Sequence, residues 1–304
     1  MFPALLATIL FAGSVIAASR SVRLLGSHPA NFWRVAVGAV MLGAWAHTFG
    51  LGWGGGAFGV FFLSGVVGFG LGDMALFMTL PRLGPRLSSL MINCLAGPFA
   101  ALIEWLWLGT RLSPAQLLCG VAILGGVGLT LAPEEHRPLP LRRRLSGMAW
   151  GVVAGFGQGF GAVLSRKAYA VAASTGSEVD GGTAAYQRIL GGLVFVALPY
   201  LWVRWQETAA GTRDVAAVAG GTEARPRAWP WVLLNALSGP TLGVACYQWA
   251  LRTTPSGIVL PITATSPLMV IPFTYWFEGD RPGGRSLAGA AVAVAGVIGL
   301  TLVR

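Results

Sequence analysis

GFGLGDMALFMTLPRLGPR at residues 68–86 and GPTLGVACYQWALRTTP at residues 239–255 belong to two copies of one pattern. The first copy runs Gly72-Asp73, Ala75-Leu76, Pro81, Pro98, Gly120 and Gly128-Leu129-Thr130-Leu131. The second runs Gly243-Val244, Ala250-Leu251, Pro255, Pro267, Gly289 and Gly299-Leu300-Thr301-Leu302. Both copies lie in strongly apolar stretches. Duplicated apolar halves with prolines at matching places point to a membrane protein built from internal repeats.

Composition agrees. Of 304 residues, 55% are hydrophobic and 11% charged, and the mean hydropathy is +0.68. An ordinary soluble domain carries roughly a quarter charged residues, so this chain lacks the charge to solvate a globule. Its net charge of +10 does not read as a nucleic-acid signature, because the arginines fall between apolar runs and not along one face. Arginines so placed meet anionic lipid headgroups and set orientation.

A spanning helix needs about 17–25 apolar residues. A window of that length predicts ten spans, at about residues 2–19, 30–49, 57–80, 87–108, 114–132, 146–170, 184–203, 229–251, 256–277 and 286–303. The first ends Ala17-Ala18-Ser19 like a signal-peptide cleavage site, but no basic residue precedes Arg20, so it reads as a span. Tight Gly- or Pro-bearing turns are expected at 50–56, 81–85 and 111–114. The basic loop 133–145, with Arg142-Arg143-Arg144, divides a first unit, 1–132, from a second, 146–304.

Five spans per unit is an odd number, which forces the two units into opposite orientations. The fold expected is therefore an all-α membrane protein of ten transmembrane helices in two inverted five-helix repeats. Further matches keep the same order. Ser19-Arg20 closes the first span as Ser165-Arg166 closes the sixth, and Phe32-Trp33-Arg34 opens the second as Tyr186-Gln187-Arg188 opens the seventh.

With these residues in view, the sequence resembles an EamA-type member of the drug/metabolite transporter superfamily over essentially its whole length. The resemblance rests on Gly72-Asp73, Phe77, Arg82-Leu83-Gly84-Pro85-Arg86, Pro98-Phe99-Ala100-Ala101-Leu102 and Leu108-Gly109 in the first unit. In the second it rests on Ala250-Leu251, Pro267, Phe277-Glu278 and the glycine-rich last span. Where the family commonly has Gly-Glu after the fourth span, this chain has Gly109-Thr110, so no functional acid is carried to position 110. The resemblance implies a multi-pass carrier in the cell inner (plasma) membrane. It would move a small metabolite, amino acids or related solutes among the candidates, often outward and by alternating access. A non-transporting scaffold or a flippase-like lipid-handling protein is the alternative.

Intramembrane charge costs roughly 2.5–3.5 kcal/mol on insertion scales, and only Asp73 and Glu104 of the eleven acids fall well inside spans. Asp73 follows Gly65, Gly68, Gly70 and Gly72, which could shelter it. It could bind a proton or a cationic group, or pair with an arginine. Glu104, followed by Trp105 and Trp107 near a span end, reads as an interfacial anchor or a pore residue. Trp33, Arg34, Asn93, Gln158, Tyr186, Gln187, Tyr247, Gln248 and Thr265 are the remaining candidates for a cavity wall, with interhelical hydrogen bonding as their other reading. Pro98 and Pro267 are candidate kinks in spans four and nine.

Small residues recur every four positions at Ala122, Gly126 and Thr130, and at Ala291, Ala295 and Gly299. They suit close helix approach, within the chain or between two copies in a homodimer. The scattered Cys94, Cys119 and Cys246 read as packing residues, and the three histidines make no metal-ligand spacing. No hydrolase elbow, zinc-protease motif or phosphate loop occurs. Neither a cofactor nor catalysis is expected; the partners expected are a small-molecule substrate and membrane lipid. Orientation divides the arguments. Six of the twenty-one basic residues fall on the side of the termini, so positive-inside counting puts the termini outside the cytoplasm, whereas the resemblance implies cytoplasmic termini.

Overall fold

The computed structural model describes residues 1–131, 140–209, 224–269 and 283–303. Among the described residues every regular element is helical. Lipid supplies no hydrogen-bond partners, so a spanning backbone must satisfy itself within the helix. The elements are α1 (Phe2–Leu25), α2 (Ser27–Thr48), α3 (Phe58–Gly65), a π segment (Val66–Gly72), α4 (Asp73–Leu108), α5 (Pro114–Leu131), α6 (Leu141–Ser174), α7 (Gly181–Ala209) and α8 (Ala224–Ala236). A second π segment (Leu237–Gly243), α9 (Val244–Thr253), α10 (Ser256–Thr263) and α11 (Gly284–Leu302) complete the order.

Among the described residues seven helices are long and apolar enough to cross a membrane: Phe2–Leu25, Phe58–Leu76, Leu87–Leu108, Pro114–Leu131, Leu141–Ser174, Gly181–Trp202 and Gly284–Leu302. The other three expected spans do not pass that test. One is α2, which carries Arg34 and His47; another is the α8–π–α9 rod, with Asn235, Gln248 and Arg252. The third is described only to Met269. The protein is thus a multi-pass helical membrane protein, and the hydropathy test alone stops short of ten.

Several boundaries move. Ser19-Arg20 and Ser165-Arg166 do not close helices, since α1 continues to Leu25 and α6 to Ser174. The turn expected at 81–85 contains no non-helical residue, yet the chain does reverse there. A Cβ at Gly161 or Gly157 would fall 3.0 Å from Gly68 or 2.8 Å from Gly72, so this limb runs antiparallel to α6. Past the turn Leu83, Met91 and Leu95 meet Gly147, Gly151 and Gly155 in turn, so that limb runs parallel to it. The left-handed Gly109 (φ 70°) then ends α4.

Packing pairs the halves symmetrically: α2 lies on α7, α5 on α11, α6 against the α3–π–α4 rod and α1 against the α8–π–α9 rod. Each π segment ends on the glycine that heads its copy of the repeat, Gly72 or Gly243. Along the α5–α11 seam the buried residues of α11 are Ser286, Gly289, Ala293, Gly296 and Leu300. The expected stripe is therefore displaced, with Ala291 and Ala295 exposed. A strict four-residue step drifts off a helix face with 3.6 residues per turn; the real contact alternates steps of three and four.

Candidate functional site

Between the halves lies a cavity of about 260 Å³. Ser14, Arg34, Phe69, Asp73 and Asn93 reach it from the first half, and Gln158, Arg188, Pro240 and Tyr247 from the second. Asp73 begins α4 directly after the first π segment. Gln158 Nε2 donates to its Oδ1 at 2.9 Å and to the Gly68 carbonyl at 3.1 Å. Arg34 Nη2 stands 3.7 Å from Asp73 Oδ2, while Arg34 Nε donates to Asn31 at 2.7 Å. In low dielectric such charges must be paired or hydrogen-bonded.

Arg188 lies deeper, on α7, and is 3% exposed. Its Nη1 donates to the Gly161 carbonyl at 3.3 Å and to Ser165 Oγ at 3.0 Å. Ser165 also accepts from Gln248 Nε2 at 3.1 Å and shares a 2.8 Å hydrogen bond with Ser64. The rings of Phe69 and Tyr247 have their centroids 5.4 and 5.8 Å from the guanidinium carbon, a cation–π arrangement. The glycine run makes this socket. A Cβ at Gly68 would fall 2.5 Å from Arg188 Nη2, and one at Gly72 3.0 Å from Gln158 Nε2. Those glycines were expected to shelter Asp73; they also admit its two long neighbours.

Arg34, Asp73, Asn93, Gln158 and Tyr247 thus share one cavity. Gln248 sits behind it, fully buried. Gln187 lies at the bundle end, donating to the Gly52 and Gly54 carbonyls at 2.9 Å each. Tyr186 is 3.3 Å from His47 Nε2 there. Trp33 is half-exposed, edge-on to Trp229. The Thr265 hydroxyl turns back onto the Ile262 carbonyl at 2.6 Å, whereas Ala264 and Ser266 reach the cavity. Pro98 faces outward on the second limb of α4, which is helical on both sides of it, and Pro267 follows a break at 264–265. The proline on the cavity wall is Pro240, in the second π segment. Glu278 lies outside the described residues.

Sequence reasoning missed Arg188 as a cavity residue by counting it among the loop arginines. The signal was available, since the repeat sets Tyr186-Gln187-Arg188 beside Phe32-Trp33-Arg34, and both arginines face the cavity.

A second ionic cluster lies at the end of the bundle where α4 and α9 finish and α10 begins. Glu104 is enclosed by protein, 1% exposed, and does not line the cavity described above. It accepts from Arg166 Nε at 3.0 Å, from the Ser256 amide at 2.7 Å and from the Ser256 hydroxyl. Arg166 Nη1 donates to the Leu251 carbonyl at 2.9 Å. The carboxylate therefore ties α4 to α6 and α10, and Arg166 extends the tie to α9. At the same end Asp180 caps α7, accepting from the Gly182 and Thr183 amides at 2.8 and 3.0 Å and from the Thr183 hydroxyl. Burial pushes its carboxyl up, but these bonds and the Trp45 indole outweigh that and hold it below the usual carboxylate range.

Comparison with known proteins agrees with this architecture. The model of the EamA-like transporter family matches residues 1–132 and 145–302. A solved structure described only as "Crystal structure of protein" superposes with a TM-score of 0.71 at 16% identity, covering 99% of this chain and 96% of its own. At that identity the likeness concerns the fold. No curated protein matches the chain.

Proposed function

Since this chain belongs to the EamA-like transporter family, we propose that it is a secondary carrier of the cell inner membrane. It moves a small polar metabolite, amino acids or related solutes first among the candidates, by alternating access between two inverted five-helix repeats. Ten membrane crossings are part of the proposal. The symmetric pairing of α2 with α7 and of α5 with α11 supports inversion, as do the matched π segments.

The observation that carries the reading is the cavity itself. It lies where the halves meet, and Arg34 and Arg188, related by the repeat, both reach it. Charged groups inside a membrane bundle mark a solute path by default. The Glu104–Arg166 cluster shuts one end, as a carrier resting in one of its two states requires. The solute and surrounding lipid are its partners, with two copies of the chain as a further association.

Purified protein in liposomes tests this. Counterflow of at least one metabolite from an amino-acid panel is expected, dependent on solute loaded inside the vesicles. If no solute moves under any imposed gradient, the carrier reading falls and the scaffold or lipid-handling alternative replaces it.

A further inference from the structure

We infer that Arg188 is a carboxylate-binding residue and that the cavity takes a small organic monoanion or zwitterion seated on its guanidinium. This rests on the carrier reading above and narrows it.

The charge count comes first. Among the described lining residues two guanidiniums, Arg34 and Arg188, face one carboxylate, Asp73. Asp73 is already engaged by Arg34 at 3.7 Å and by Gln158 at 2.9 Å. Arg188 makes no ion pair among the described residues; its hydrogen-bond partners are the neutral Gly161 carbonyl and Ser165 hydroxyl. These described lining residues therefore carry one surplus positive charge in a setting where unpaired charge is costly. A solute with one negative group cancels it. A phosphate monoester, at −1.5 to −2 near neutrality, would overshoot and be repelled by Asp73.

The hydrogen-bond inventory agrees. Arg188 Nε is buried and has no hydrogen-bond partner among the described residues, which is rare for a buried donor. A guanidinium offers parallel N–H bonds to a carboxylate. Nη1 is occupied, so the free edge is Nε with Nη2. Gly68, with no side chain, lets the guanidinium pack against the backbone of the first π segment and so fixes where Nη2 lies. The Phe69 and Tyr247 rings both lie within cation–π range of the guanidinium. A carboxylate on that edge gives Nε its missing acceptor. An ammonium on the same solute would meet Asp73.

Binding, measured by calorimetry on the detergent-purified chain, tests this apart from flux. Benzoate, its neutral isostere benzamide, benzylamine and phenyl phosphate are the probes. Benzoate is expected to bind roughly ten- to a hundredfold tighter than benzamide, the range of one charge-assisted hydrogen bond. Arg188→Gln should erase that preference, and Arg188→Lys should retain part of it. If Arg188→Gln does not fold, the wild-type ranking still decides. Equal binding of benzoate and benzamide, or tighter binding of benzylamine or phenyl phosphate, overturns the assignment. Carboxylate-selective binding without flux in liposomes would sink the carrier reading and leave this site standing; flux without the preference would do the reverse.

Discussion

Replacing Glu104 with Gln should open the closed end of the bundle. In the present state the Glu104 side chain is 2% exposed and that of Arg166 21%. Removing one partner from a buried pair costs about 3–5 kcal/mol. Gln keeps the shape and an acceptor for the Ser256 amide, and Arg166 is partly solvated, so we expect about 2 kcal/mol against this state. Because the bonds join α4 to α6 and to α10, a state in which α4 has parted from them at this end has already given them up and loses nothing more on substitution. The ratio of the two states should therefore move roughly thirtyfold. Ala172→Cys is the reporter, since Ala172 is 1% exposed and lines the 590 Å³ crevice beside the cluster. In a background lacking Cys94, Cys119 and Cys246, maleimide labelling of this reporter should rise by more than tenfold with Glu104→Gln. Unchanged labelling alongside a lowered melting temperature would mean that the cluster merely packs the bundle, and the closed-end argument would be refuted.

Other consequences are as direct. Gly68→Ala places a methyl against Arg188 Nη2, costs about 1–3 kcal/mol of overpacking, and should abolish uptake with helicity retained by circular dichroism; normal uptake would show that the socket tolerates a side chain. Asp73→Asn removes the countercharge of Arg34 and should lower proton-driven uptake at least tenfold; full gradient-dependent uptake would remove Asp73 from coupling. For Asp180, whose folded carboxyl is held below its unfolded value near 3.9, the contribution to stability is complete above that value. It is lost as pH falls through the lowered one. The melting-temperature gap between wild type and Asp180→Asn should therefore close below about pH 4, and a gap constant down to the acid limit would contradict the capping geometry.

Membrane class, two similar halves and the positions of most helices were legible because lipid imposes a strong rule. A spanning segment must be long, apolar and internally hydrogen-bonded, and each condition leaves a mark along the chain. Arg34, Asp73, Asn93, Gln158 and Tyr247 could be picked out because polar groups are conspicuous in such segments. The same criterion also selected Gln187, Gln248 and Thr265, which bond to backbone carbonyls or to Ser165 instead of lining the cavity. Polarity in a span registers that a group needs a partner, and only packing says whether that partner is a neighbouring helix or a solute.

Amino-acid order alone thus determined the medium, the duplication and the short roster of buried polar groups, since burial in lipid acts on each segment separately. Tertiary contacts decided the rest. They took Arg188 from a span end into the cavity, turned the four-residue small stripe on α11 away from its seam, and drew Glu104 into a cluster with Arg166 and Ser256. Each of those outcomes depends on which helix lies opposite, across 62 to 152 residues of chain in the case of Glu104, and no local pattern encodes the identity of a neighbour so far away in sequence.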